Sequence, residues 1–159
     1  MELEIINIEE QLLIGIHKEM SLMNNLTPQL WQEFKPRLQE IKSRTDHHLI
    51  SLQIYPGNYF TEFNPERHFR KWAAVQTNSD SDVPKDLELL HLVGGDYAVF
   101  HYKGPLHDKS IFQKIFTEWI PQSAFVLDNR PHFERFSDRL TLQSPEWEET
   151  IYVPVIKKE

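Results

Sequence analysis

The chain of 159 residues has no cysteine, which excludes disulfides and thiolate chemistry and points to a reducing compartment. No run approaches the ~20 apolar residues of a membrane span. The opening stretch MELEIINIEE has neither the basic start nor the apolar core of a secretory leader, so a cytoplasmic protein without membrane contact is expected. Positive charge is also short. Seventeen Lys and Arg against 24 Asp and Glu leave a net charge of −7, which repels phosphate backbones and offers no uniform basic face, so direct nucleic-acid binding is not expected. With only five glycines there is no phosphate-cradling loop, and neither G-x-S-x-G nor H-E-x-x-H occurs. The adjacent His47 and His48 point apart on any regular element, so no metal site and no cofactor are expected.

Aromatic residues, by contrast, are plentiful: 10 Phe, 5 Tyr and 4 Trp exceed what a minimal core demands and leave rings to line a pocket. The length suits a single domain over residues 1–159. In LTPQLWQEFKPRLQEI, Thr27 is placed to cap and Pro28 to open a helix. Trp31, Phe34, Leu38 and Ile41 then form one stripe, with a kink or irregular turn expected at Lys35 because of Pro36. Strands are expected at LLIGIHKEM, LISLQIY (49–55), KWAAVQ (71–76), HFERF and TIYVPV. LELLHLVGGDYAVFHYKG reads as a strand pair broken at Gly94 and Gly95. IFQKIFTEWI reads as a second helix stopped by Pro121. The loop between residues 56 and 70 is rich in Phe and Tyr and is expected to cover something.

The two halves thus read strand, helix, strand, strand twice, as an internal duplication of residues 11–77 and 95–156. The expected fold class is α+β: duplicated β-α-β-β modules in one curved antiparallel sheet, two main helices on one face and a central ligand crevice. Overlaying the copies is expected to place Gln53 near Glu134.

The run RPHFERF raises a separate question. Alternation puts Phe133 and Arg135 on one face and Glu134 with Phe136 on the other, so a carboxylate sits beside an aromatic ring. A lone glutamate is ordinarily solvated. Trp31 and Trp119 lie on the apolar stripes of the two helices, where a Trp is more often core than ligand platform. Glu148 and Glu149, at the start of the last strand, read as solvent-exposed.

YAVFHYKGP, IFTEWIPQSAFVLDNRPHFERF and EETIYVPVIKK resemble the GyrI-like small-molecule-binding family, whose domain also forms the effector-binding half of AraC-type and MerR-type multidrug regulators. LLIGIHKEMSL and LWQEFKPR extend the resemblance over essentially the whole chain. It implies a central aromatic pocket with a buried Glu that pairs with cationic lipophilic ligands. By its place in the family's pattern that residue is Glu134, with Phe136 where the family often has Tyr. The expected ligand-binding residues are then Glu134, Phe136, Trp119, Trp31, Tyr55 and Tyr152. The expected function is capture of lipophilic, cationic small molecules for sensing or sequestration. One alternative is a hydrolase of strained cyclopropanoid electrophiles in which Glu134 is catalytic, with Tyr55, Tyr152 or His132 as possible partners. Another is a protein-interaction module acting on gyrase or a transcription regulator.

Overall fold

Alternating apolar side chains produce long strands here, and the sheet they build is joined in an order that local turn signals do not reveal. The computed structural model describes residues 3–141 and 143–159. Met1 and Glu2, which open the stretch read for a leader, and Leu142 lie outside the described residues. The elements are β1 (Glu4–Ile8), β2 (Gln11–Met20), α1 (Thr27–Phe34), β3 (His48–Ile54), β4 (Phe69–Thr77), β5 (Glu88–Leu92), β6 (Gly95–Gly104), α2 (Ser110–Lys114), β7 (Phe125–Leu127), β8 (His132–Ser137) and β9 (Trp147–Lys157).

The strands pair in the order β1-β6-β9-β8-β3-β4-β2-β5, with β7 added on β9, and every pairing is antiparallel. From the centre outward one half runs β8, β9, β6 and the other β3, β4, β2. Each half is closed by the strand that leads into the opposite run. The Gly94–Gly95 signal therefore does not make a hairpin. β5 pairs with β2 and β6 with β1 and β9, because the chain crosses between sheet edges at that point. A Cβ on Gly94 would lie 2.5 Å from the Ile8 carbonyl oxygen and 2.9 Å from the Glu10 nitrogen, so the two lead-in connections touch where they cross.

α1 ends at Phe34 and the chain continues as a 3-10 helix over Lys35–Glu40, since Pro36 has no N–H for the Gln32 carbonyl. Thr27 is not the cap. Leu26 holds that position, and the Thr27 N–H is satisfied by Asn25 Oδ1 at 3.0 Å. α2 widens into a π-helical stretch, Ile115–Trp119, ended by an Ile120 N–H to Ile115 carbonyl bond of 3.0 Å.

Both helices cover one sheet face. Under α1 lie Ile14, Leu30, Phe34, Leu49, Val75 and Phe136; under α2 lie Ala98, Phe100, Ile115, Ile151 and Val153. The opposite face carries a third cluster that joins Leu13 of β2 to Tyr97 and Val99 of β6. Those strands are second from opposite ends of the path, so only a strongly curled sheet brings them together. Gly15 permits the curl: a Cβ there would meet the Ala73 carbonyl oxygen at 2.0 Å. Gly15→Ala should therefore cost ~2 kcal/mol or more in a urea titration. Gly57→Ala, whose added Cβ meets only the Asn129 side chain at 3.7 Å, should stay near wild type. Equal midpoints for the two variants would contradict the close packing of β2 on β4.

Candidate functional site

Between the two helix-side clusters the central strands turn polar. In the β3–β8 register Ser51 faces Glu134 and Gln53 faces His132, and all four side chains are buried. Alternation puts Glu134 with Phe136 on the helix face, as RPHFERF leads one to expect. Glu134 is 9% exposed, so the ordinary solvated reading does not apply. Gln53 Nε2 donates to Glu134 Oε1 at 3.2 Å and lies 3.3 Å from Ser51 Oγ. A charge so placed needs compensation close by.

The floor continues sideways. Lys71 of β4 is the cross-strand partner of Gln53, and Glu149 of β9 shares the face of Ile151, which pairs with Glu134. Above this floor opens a cavity of about 410 Å³. α1 contributes Pro28 and Trp31, the 3-10 helix after it Lys35, the segment after β6 Leu106 and Lys109, the loop after β8 Leu140, and the start of β9 Trp147. Phe136 stands between two of these walls, its ring 5.5 Å from Trp31 and 5.0 Å from Trp147. Three aromatic rings and one buried carboxylate therefore line the same cavity.

Burial, reinforced by the charge of Glu149, pushes the Glu134 carboxyl up to about 7 despite Lys71, Gln53 and Lys109 pulling it down. Burial also raises Glu149 and lowers the Lys71 ammonium. These groups hold protons jointly rather than one by one.

Of the residues singled out from sequence, Glu134, Phe136 and Trp31 meet in this cavity. Tyr55 sits at one end of the floor, its ring packed on Tyr59, Phe60 and Phe69 and its phenol pushed well above the usual range by burial and by Glu134. His132 lies there too, with its ring stacked on Phe60 and tilted against Phe116. Burial holds its pKa down to about 3, so it is neutral and unsuited to proton transfer near pH 7. The aromatic 56–70 loop thus covers Tyr55 and His132 through Phe60.

Trp119 and Tyr152 are not brought to this site. Trp119 stacks on Phe100 at 5.6 Å as part of the core under α2. Tyr152 points to the opposite face, three residues from Glu149, and stacks on Phe133 at 4.5 Å. Sequence reasoning also left out Lys71 and Trp147 and read Glu149 as exposed. Alternation carried the needed signal for two of them, because Lys71 shares a face with buried Ala73 and Val75, and Glu149 with buried Ile151 and Val153.

A family model described as a GyrI-like small molecule binding domain matches residues 1–156. No curated protein matches the chain. Among solved structures, SAV2435 bound to tetraphenylphosphonium superposes with a TM-score of 0.69 at 20% identity, over 98% of this chain and 94% of the other. The EcmrR C-terminal domain gives 0.73 at 13%, over 99% and 98%. A hydrolase from Listeria innocua gives 0.62 at 11%, over 96% and 91%. At these identities the likeness is one of fold.

The sign of the Glu134 shift sets a stability test. A carboxyl raised from 4.5 to about 7 keeps its proton in the fold after the unfolded chain has released it. Its contribution is therefore fully present below pH ~4.5 and is lost as pH rises through ~7. Glu134→Gln should match wild type in stability near pH 4 and exceed it by ~3 kcal/mol at pH 8. Parallel stability curves for the two proteins across that window would contradict the burial.

Proposed function

The chain belongs to the GyrI-like small-molecule-binding family, and from that premise we propose that its crevice captures lipophilic cations, with Glu134 as counter-charge and Trp31, Phe136 and Trp147 as ring faces. The observation that carries the proposal is a buried carboxylate whose direct side-chain bond, among the described residues, comes from neutral Gln53, beneath three aromatic rings. A cation stripped of water needs both a countercharge and ring faces, each desolvated cation–π contact being worth ~2 kcal/mol. A volume of about 410 Å³ falls within the ordinary range for drug-sized ligands.

The lysines at the rim do not oppose this reading. Lys35 and Lys109 are exposed, so water screens them. Lys71 is the half-buried one, and its lowered pKa lets an entering cation displace a proton from the Glu134–Lys71 neighbourhood instead of breaking an ion pair. SAV2435, which shares the fold, is seen with a cation of this class. The proposal takes residues 11–77 and 95–156 as two copies of one unit. β8 ends at Ser137 and β3 at Ile54, 83 positions apart, so Ser51 corresponds to Glu134 in place of the expected Gln53. One copy alone carries the carboxylate, and binding is asymmetric. Capture serves sensing or sequestration in the cytoplasm.

Hydrolysis is a second reading, favoured by the second carboxylate, Glu149, beside one whose pKa is about 7, a value suited to a general base. Turnover of a cyclopropanoid electrophile that Glu134→Gln abolishes would select it over capture.

For capture, calorimetry with tetraphenylphosphonium at pH 8 should give a micromolar Kd that Glu134→Gln weakens about tenfold, ~1.4 kcal/mol. Triphenylphosphine oxide, which is neutral, should lose less in the same variant. Because the cation selects the ionised carboxylate, affinity should fall as pH drops below ~7 and level off about tenfold lower, at the affinity of Glu134→Gln. Equal affinities of wild type and Glu134→Gln at pH 8 would remove Glu134 from the site.

A further inference from the structure

We propose that Lys71 is a covalent capture point, its amine forming a Schiff base with lipophilic aldehydes and ketones that enter the crevice. The proposal rests on the crevice being a small-molecule site and adds a substrate class that a counter-charge alone does not suggest. Its starting point is the position of Lys71. On its face of β4 the next residues are Ala73 and Val75, both fully buried, and its side chain lines the same cavity as Trp31, Phe136 and Trp147.

The lysine ion pairs of the fold are Lys18–Glu33 and Lys103–Glu146, and among the described residues Lys71 forms none. An ammonium in such surroundings is poorly solvated, and burial holds its pKa below that of an ordinary lysine against the opposing pull of Glu134. The neutral amine is the nucleophile, and desolvation in an apolar pocket is a general way of producing it. Lys35 and Lys109 reach the cavity from exposed positions.

The neighbouring carboxyl groups complete the chemistry. The Nζ lone pair attacks the carbonyl carbon while the carbonyl oxygen takes the proton of the Glu134 carboxyl. The nitrogen then gives a proton to a carboxylate, Glu134 or Glu149. In the second stage the carbinolamine hydroxyl leaves as water with a proton from a carboxyl, the C=N bond forms as an iminium, and its N–H proton returns to that carboxylate. Carbonyl compound plus amine becomes imine plus water, with no oxidant or reductant involved. Glu134 protonated near neutrality is suited to the acid step, and the aromatic walls select carbonyl compounds with large apolar bodies.

The test uses biphenyl-4-carboxaldehyde as probe at pH 7.5, with borohydride to trap the imine, followed by intact mass measurement and peptide mapping. One equivalent should be fixed at Lys71, at least tenfold faster than at any other lysine. Excess tetraphenylphosphonium should slow that labelling, and Lys71→Arg should reduce it to the rate of the exposed lysines. Labelling spread over Lys35, Lys109 and other exposed lysines without preference would overturn the proposal. Tetraphenylphosphonium binding measured on the same wild-type sample separates the two ideas. If the cation binds while Lys71 is not preferred, the Schiff base fails alone; if Lys71 is labelled selectively while the cation does not bind, cation capture fails alone.

Discussion

A carboxylate buried on the central strand pair of a sheet carries a penalty of several kcal/mol unless something answers its charge, and the arrangement around Glu134 follows from that constraint. The fold supplies partial answers: a hydrogen bond from Gln53, the half-buried Lys71, and protonation that becomes available as the pKa rises. None of them is a close ion pair. Under the capture we propose, a ligand cation supplies the countercharge that the fold leaves missing. A hydrophobic residue at position 134 would pack against Ile151 and remove the conflict, and with it the reason for the crevice.

The curl of the sheet and the separation of the helices make that position possible. Exchange of the lead-in strands β1 and β5 draws the two ends of the sheet together, and the cluster around Tyr97 and Leu13 fills the inner face. The outer face is then left to two helices, each over its own half. Neither covers the middle of β3 and β8, and polar side chains collect there: Ser51, Gln53, His132 and Glu134. Aromatic rings from α1, β8 and the start of β9 close over the gap without filling it.

Much of this was legible in the sequence where the signal is local. Strand alternation placed Glu134 and Phe136 on one face, the family resemblance rather than the helix stripe pointed to Trp31, and the repeated order of elements anticipated a curved antiparallel sheet with two helices. The failures lie where the decisive contact is distant in the chain. Gly94 and Gly95 look like a hairpin turn because turn chemistry is local, whereas the partners of β5 and β6 are chosen by the sheet's closure. Trp119, assigned to the pocket by the resemblance, stacks on Phe100 in the core, as its apolar stripe reads. Glu149 reads as the frayed start of a strand until Lys71, 78 residues earlier, is found lining the same cavity. Tyr152 was excluded by its own alternation with Glu149.

The central claim, that a lipophilic cation occupies the space between the aromatic walls and Glu134, is tested most directly by diffraction from crystals grown with tetraphenylarsonium. The arsenic atom reports its position by anomalous scattering without any assumption about affinity. The account predicts one peak in the crevice bounded by Trp31, Phe136 and Trp147, on the side facing Glu134. A peak elsewhere, with the crevice empty at saturating ligand, would contradict it.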